Sequence, residues 1–409
     1  MKKLILGIIA LLVLVVISFF SRYSISEHYV QEARHAIDSG DYVVAENKIS
    51  RALFFSKKNP LAHFYMAKVL YEKGEKGNAL DHLALSQEAD SMNSEIYFLR
   101  GKILLDNEDH EPAMLAFNKT IELDTLHANG YFYRGITKAA LHDYTGSLND
   151  YRKAIALDKE NMGAYVASSD LKAELKDFSG AINDYDAILE MDPSNLDAYY
   201  NRGYFKLELG DEKGAIKDFN AVLNLDEKNA NAYFYRGSAY AKTNDFTKAR
   251  SDFNESIKLG HKVGKAYYNL ALTDMKGSQY KQARNNLQKS IKADGTNAAA
   301  YNLLGIANAI QQDYKASIVY FDKAIGLDPE LADAYFHRGV SKGILGKHKE
   351  AIPDYTSALE LQPEYAEVYY NRGISYINTR NMEAGCKDLN RALSLGYTHA
   401  EPLVKMHCK

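Results

Sequence analysis

Apolar positions in this chain recur on a period of 34 residues from Ser26 to near His399, without an insertion or a deletion. Cuts at Ser26, Pro60, Ser94, Ala128, Met162, Leu196, Ala230, Gly264, Ala298, Ala332 and Ala366 give eleven units, repeats 1 to 11. In each, apolar residues fall at helical spacing on both sides of a short polar break such as Leu209-Gly210-Asp211, so each reads as helix, turn and antiparallel helix. The eighth position is always small, from Ala33 through Gly203 to Gly373, and so is the twentieth, from Ala45 through Ala215 to Gly385. Two small residues twelve apart let the paired helices approach closely. Bulk surrounds them: the fourth position is Tyr in ten repeats and His63 in the other, and the twenty-fourth is mostly Phe, Tyr or Leu.

The columns also covary. Position seven is Arg in six repeats, and in five of these position twenty-three is Asp: Arg134 with Asp150, Arg202 with Asp218, Arg236 with Asp252, Arg338 with Asp354 and Arg372 with Asp388. Where position seven is apolar the acid disappears, as in Leu270 with Asn286, and repeat 1 reverses the charges with Glu32 and Lys48. Both positions lie equally far from the turn, so an antiparallel hairpin sets them opposite each other, and an ion pair inside each repeat is expected. Arg100, facing Ala116, and Asp184, facing Ser168, are exceptions. An exposed pair of this kind contributes only ~0–1 kcal/mol.

With its length and its pattern of Gly, Tyr, Ala, Phe and late Pro, the chain resembles the tetratricopeptide repeat family over nearly everything after Ser26. Asp192-Pro193, Asp328-Pro329 and Gln362-Pro363 fall where that family places its helix-ending proline, whereas Lys159, Glu227 and Gly295 replace it. Pro353 sits inside a second helix, where the missing donor predicts a local kink. The resemblance implies an all-α, right-handed superhelical solenoid whose first helices line a concave groove for a peptide or protein.

It also implies that positions two, five, six, nine, twelve and thirteen line that groove. Position five carries Phe98, Phe132, Tyr200, Phe234, Tyr268, Phe336 and Tyr370, and position six carries Asn201, Asn269 and Asn371. The rings could hold apolar side chains of an extended ligand, or could pack neighbouring first helices together. The asparagine amides could pair with a peptide backbone. No repeat has Lys at position five, which argues against the basic clamp of the family's chaperone-tail binders. Position nine is basic in the first three repeats, with Arg34, Lys68 and Lys102, and each is followed one turn later by Asp38, Glu72 or Asp106. Such spacing favours mutual neutralisation. From repeat 8 onward position nine is apolar, with Leu272, Ile306, Val340 and Ile374.

Ahead of the repeats the composition changes. Met1-Lys2-Lys3 precedes Leu4 to Phe20, an uncharged run of 17 residues of which fourteen are Leu, Ile, Val or Phe. At the helical rise it spans about 25 Å, near the lower limit for a bilayer core. The run exceeds a signal-peptide core, and Phe19-Phe20-Ser21-Arg22 offers no good cleavage site. The expected organisation is a cytoplasmic tail at 1–3, a transmembrane signal anchor at 4–21, a linker at 22–25, repeats over 26–399 and a capping helix over 400–409. Lys2 and Lys3 keep the N-terminus cytoplasmic and put the repeats on the far side, with a bacterial inner membrane facing the periplasm as the best reading. A cleaved signal and a secreted or periplasmic product is the alternative.

Composition mainly excludes. A net charge of −3, from 50 basic and 53 acidic residues, gives no field for nucleic acid. Twelve histidines without metal-ligand spacing give no reason to expect a metal, and no cofactor is expected. Gly339-Val340-Ser341-Lys342-Gly343 matches a nucleophile-elbow pattern, but Gly339 is a helix-packing position, so no enzyme is expected. Gly260 to Lys265 reads as an inter-repeat turn. Only Cys386 and Cys408 exist, close enough in sequence for a disulfide or for two small buried thiols. The function expected is a membrane-anchored scaffold with a protein or peptide partner in the groove. The alternative is a structural protein that self-associates into a homo-oligomer in the cell envelope.

Overall fold

The structure, a computed structural model, describes residues 2–408, with side chains from Phe20 onward. Among these residues it holds 23 α-helices, one short 3-10 turn at Thr398–Ala400 and no strand. The chain divides into two compact units, residues 1–193 and 194–409. Each is a stack of helical hairpins.

The helix boundaries have local causes. Asp41, Asp143, Asp177, Asp211 and Asp245 each accept a hydrogen bond from a backbone N–H of the second helix they precede, and Asn59, Asn161, Asn229 and Asn297 do the same for first helices. Such caps satisfy donors that a helix start leaves unpaired. Inside repeats, the turn residue takes a left-handed conformation, borne by Gly74, Gly210 and Gly346 and, at greater cost, by Glu108, His142 and Lys176. Pro353 lies within His348–Leu361, which runs unbroken through it.

The small positions do what their column suggests. A Cβ on Gly135 would stand 2.6 Å from the Tyr151 ring, and one on Gly339 would stand 2.7 Å from Tyr355. Position eight of the first helix is therefore the seat for the position-twenty-four ring of the second. Buried alanines such as Ala215 and Ala249 fill the matching place on second helices.

At the N-terminus one helix runs unbroken over Lys2–Asp38. The stretch 22–25, expected as a linker, is part of that helix, because nothing in Arg22-Tyr23-Ser24-Ile25 breaks it. The expected membrane segment 4–21 falls almost wholly on residues 2–19, outside those whose side chains are described. Among the described residues no helix is long and apolar enough to cross a membrane.

At the other end, Glu401–His407 forms a short helix that covers the last hairpin, with Leu403 and Val404 packed on the cluster of Leu389, Ala392 and Ala400. Cys386 and Cys408 are joined in a disulfide, with Cα atoms 5.4 Å apart. A stacked array has an apolar end that needs such a cover.

Candidate functional site

Within each unit, first helices of successive repeats neighbour one another, and the position-five rings lie along that side. In the first unit the Phe98 ring lies 4.7 Å from His127 and 5.5 Å from Tyr133, and Phe132 lies 6.2 Å from Tyr151. In the second, Tyr200 lies 6.0 Å from Tyr235, Phe234 lies 5.9 Å from Phe253, Phe336 lies 5.2 Å from Tyr365, and Tyr370 lies 5.0 Å from Tyr397. Tyr268 packs on the Leu287 and Leu304 cluster. Most rings thus reach the following repeat or the C-terminal cap. Phe234 and Phe336 are only 7% and 3% exposed, so these two expected groove residues belong to the stack interior and offer a ligand almost nothing. The other five rings are half-buried and leave an edge free.

The asparagines part company. Asn371 donates its amide to the carbonyl of Glu367 on its own helix at 2.8 Å. Asn201 is half-buried on its first helix. Asn269 lines a cleft of about 280 Å³ between the first helices of repeats 7 and 8, floored by Phe253, Ala241 and Leu272, with Lys242 and Lys276 among its lining residues. Farther along this unit, Ile310 and Ile344 stand exposed at position thirteen. The face of the second unit is therefore apolar with a cationic edge.

The face of the first unit is built differently. The three expected pairs between positions nine and thirteen do not form. Lys102 instead lies over the Tyr71 ring at 5.2 Å and over Tyr133 at 5.5 Å, while Asp106 accepts the Tyr71 hydroxyl at 2.6 Å. Burial and the Asp106 hydrogen bond hold the Tyr71 phenol protonated well above its ordinary range. Nearby rings out-compete the helical neighbour for the lysine because they hold it without desolvating a second charge.

Between the hairpin helices, all five Arg–Asp combinations are brought together with two bonds each. Arg134 donates Nε and Nη2 to Asp150 at 2.8 and 2.7 Å, Arg202 to Asp218 at 2.9 and 2.5 Å, and Arg236 to Asp252 at 2.8 and 2.8 Å. Arg338 reaches Asp354 at 3.1 and 2.6 Å, and Arg372 reaches Asp388 at 2.7 and 3.0 Å. The hydrogen bonds to Asp150 hold the Arg134 guanidinium above its ordinary value, against the burial that lowers it. In repeat 1, Lys48 meets Glu32 at 2.8 Å.

These pairs are not the exposed kind expected, since the Asp218 side chain is 3% exposed and that of Asp252 is 7% exposed. Column reading also missed a partner. Lysine at position eleven, one turn beyond the arginine, shares the acid: Lys138 with Asp150, Lys206 with Asp218 and Lys342 with Asp354, each at 2.8 Å. Asp184, the supposed exception, is held by Lys172 at 2.6 Å. The signal was present as the lysines four residues after position seven in repeats 4, 5, 6 and 10. The arginines also reach the preceding repeat, as Arg236 does to Asn220 at 2.6 Å and Arg338 to Asp322 at 2.7 Å. Arg134 and Arg372 do likewise with Asn118 and Thr356, so these four arginines each join three helices.

Ser341, the centre of the elbow-like pattern, is buried within the continuous helix Ala332–Ile344. It donates to the His337 carbonyl at 3.0 Å and accepts from Ser317 at 2.9 Å. It has a helical residue's environment, without the sharp turn that the pattern requires.

Family comparison gives three matching models. One, described as TPR repeat, matches residues 344–379. Two are described as tetratricopeptide repeat, one matching 166–228, 206–260 and 268–332, the other 94–125 and 366–395. Together these segments span more than half of the chain. No curated protein matches it. Solved structures similar to it include YrrB, a TPR protein with an unusual peptide-binding site (21% identity, 45% of this chain and 95% of that one, TM-score 0.40). The Cut9–Hcn1 hetero-tetramer of APC/C is another (16% identity, 97% and 99%, TM-score 0.44), as is PilF of Pseudomonas aeruginosa (16% identity, 53% and 99%, TM-score 0.47).

Proposed function

We propose, from the premise that this chain belongs to the tetratricopeptide repeat family, that it is a protein-interaction scaffold whose first-helix face in repeats 7 to 10 receives a peptide segment of a partner. The observation that carries this reading is the cleft at Asn269. Its floor of Phe253, Ala241 and Leu272 gives apolar area, its amide can both donate to and accept from an extended backbone, and Lys242 and Lys276 select against basic segments. A right-handed superhelical course of the stacked hairpins belongs to the same proposal, as does a membrane anchor at residues 4–21 with the repeats on the outer side. The apolar run at 4–20 and the Cys386–Cys408 disulfide support that placement, since disulfides persist in oxidising compartments.

The test is photocrosslinking in native membranes from a photoreactive residue at Leu272 in the cleft, with Lys248 on a second helix as the control position. Leu272 serves better than a position-five ring such as Phe234, which is sealed inside the stack. One distinct protein captured from Leu272 alone, and lost in Asn269→Ala, is the expected result. Capture only of the chain itself would favour the self-associating structural protein instead.

A further inference from the structure

Repeat 3 departs from its siblings in a way that leaves a receptor. In five repeats the position-seven arginine closes on a carboxylate of its own second helix. In repeat 3 that acid is Ala116, and the position-eleven lysine is Leu104. The Arg100 guanidinium is exposed, and its hydrogen bond is a single one, from Nη1 to Gln87 Oε1 at 3.1 Å. Where the carboxylate of the other repeats would lie there is a cleft of about 230 Å³, lined by Arg100, Leu104, Leu115, Ala116 and Lys119 among others. Leu115 at its edge is 70% exposed. Lys119 is engaged with Glu122 at 2.6 Å, which leaves Arg100 as the main cationic group of the cleft.

We propose that this cleft, on the flank of the hairpin and apart from the first-helix face, binds an acidic side chain of a partner peptide, an Asp or Glu next to an apolar residue. The other repeats show what an arginine at this place takes: both oxygens of one carboxylate, through Nε and Nη2. Guanidinium and carboxylate match in a planar, two-bond arrangement that a lysine cannot reproduce. Leu104, Leu115 and Ala116 supply apolar walls for the adjoining side chain, and they reduce the water that would otherwise screen the pair. The site is independent of the Asn269 cleft, so either can fail without the other.

The siblings also provide the competitor. Ala116→Asp should restore the internal pair, because a Cβ added to Gly203 or Gly237 would crowd the Asp218 or Asp252 Cβ at 3.1 or 3.2 Å, so the bare glycine is what gives the acid its room, and repeat 3 has the same glycine in Gly101. The probe is a fluorescein-labelled peptide of sequence GSLDLEGS, with GSLNLQGS as the neutral control, titrated by anisotropy against the full chain in detergent. Expected is binding by the wild-type chain of the acidic peptide only, weakened about tenfold or more in both Arg100→Ala and Ala116→Asp, with the thermal midpoint of Ala116→Asp unchanged or raised. Equal binding of both peptides, or undiminished binding in Ala116→Asp, would overturn the assignment. Sedimentation of the same proteins decides the last point: concentration-dependent dimerisation of the wild type that Ala116→Asp abolishes would make the occupant a second copy, which also overturns it.

Discussion

Single side chains in this protein are constrained by their column. A methyl group added at position eight meets the ring that the column seats there, so Gly135→Ala should push against Tyr151 and destabilise the protein by about 1–3 kcal/mol. Gly326, in the last turn of Tyr314–Leu327, has nothing within 4 Å of its would-be Cβ. There the same change should stabilise by about 0.5–1 kcal/mol, because the unfolded chain loses freedom and nothing clashes. Chemical denaturation of the two variants tests the pair, and equal effects would contradict the packing account. The buried Arg–Asp pairs allow a second test at this scale. Arg236 and Asp252 suit a double-mutant cycle best, because position eleven of that repeat is Tyr240 and no lysine shares the acid. A coupling of about 1.5–3 kcal/mol is expected for charged hydrogen bonds at this burial. A value near zero would leave the column as inherited decoration.

Hairpins are the next scale, and two of them carry conditional contacts. In repeat 2, His63 Nε2 donates to the Lys57 carbonyl at 3.0 Å, and its Nδ1 shares a hydrogen bond with His82 Nδ1 at 2.9 Å. Burial and the neighbouring His63 lower the His82 pKa, against a smaller opposite pull from Asp81; Glu46 lines the same hollow. A folded value below the unfolded one, about 6.5, means the unfolded chain binds more protons in mild acid. This stabilisation is therefore present above the unfolded value and lost as pH falls from there through the lower folded one. His82→Asn keeps a donor in place without a titrating ring, and its thermal midpoint should fall less than the wild type's between pH 7.5 and pH 5.5. An equal fall in both would place the acid sensitivity elsewhere. At the last hairpin, the disulfide closes a loop of 22 residues, worth about 3 kcal/mol. Reduction should speed amide exchange across Glu401–His407 and leave Phe178–Met191 unchanged. Protection that survives reduction would show that the apolar cover of Leu403 and Val404 suffices.

For the whole molecule, the two units present first-helix faces of different chemistry. The first binds its own charges through rings, with Lys102 held over Tyr71 and Tyr133, and the second shows Leu272, Ile310 and Ile344 with lysines nearby. A partner segment with an apolar and acidic character suits the second face. If residues 4–21 anchor the chain as proposed, alkaline carbonate should leave it in the membrane pellet, and mass measurement should find the N-terminal segment intact. Release into the supernatant with a shortened N-terminus would establish the cleaved-signal alternative.

The hairpins and their tight packing were legible from the chain alone, because a buried stripe recurring every three or four residues is a local feature, whereas the stretch 22–25, expected as a linker, is helical. The family followed from the same columns. Partners across a hairpin were legible only in part. The Arg–Asp columns stood out as a covarying pair, whereas Lys138, Lys206 and Lys342 emerge once two helices are set side by side and one acid is seen to accept from both. Exposure was not legible at all. Whether a ring at position five lines a groove or seals a joint depends on how the next repeat leans on it, and Phe234 and Phe336 are sealed while Tyr200 and Tyr370 keep an edge. The repeat 3 cleft has the same origin: Ala116 is an ordinary helical residue in sequence, and it becomes an opening only because Arg100 stands opposite with a single hydrogen bond. Periodicity specifies what each segment buries, since that choice is made within a few turns of helix. Which groups remain accessible is set between segments far apart in the chain, and there the packing of the hairpins has the final word.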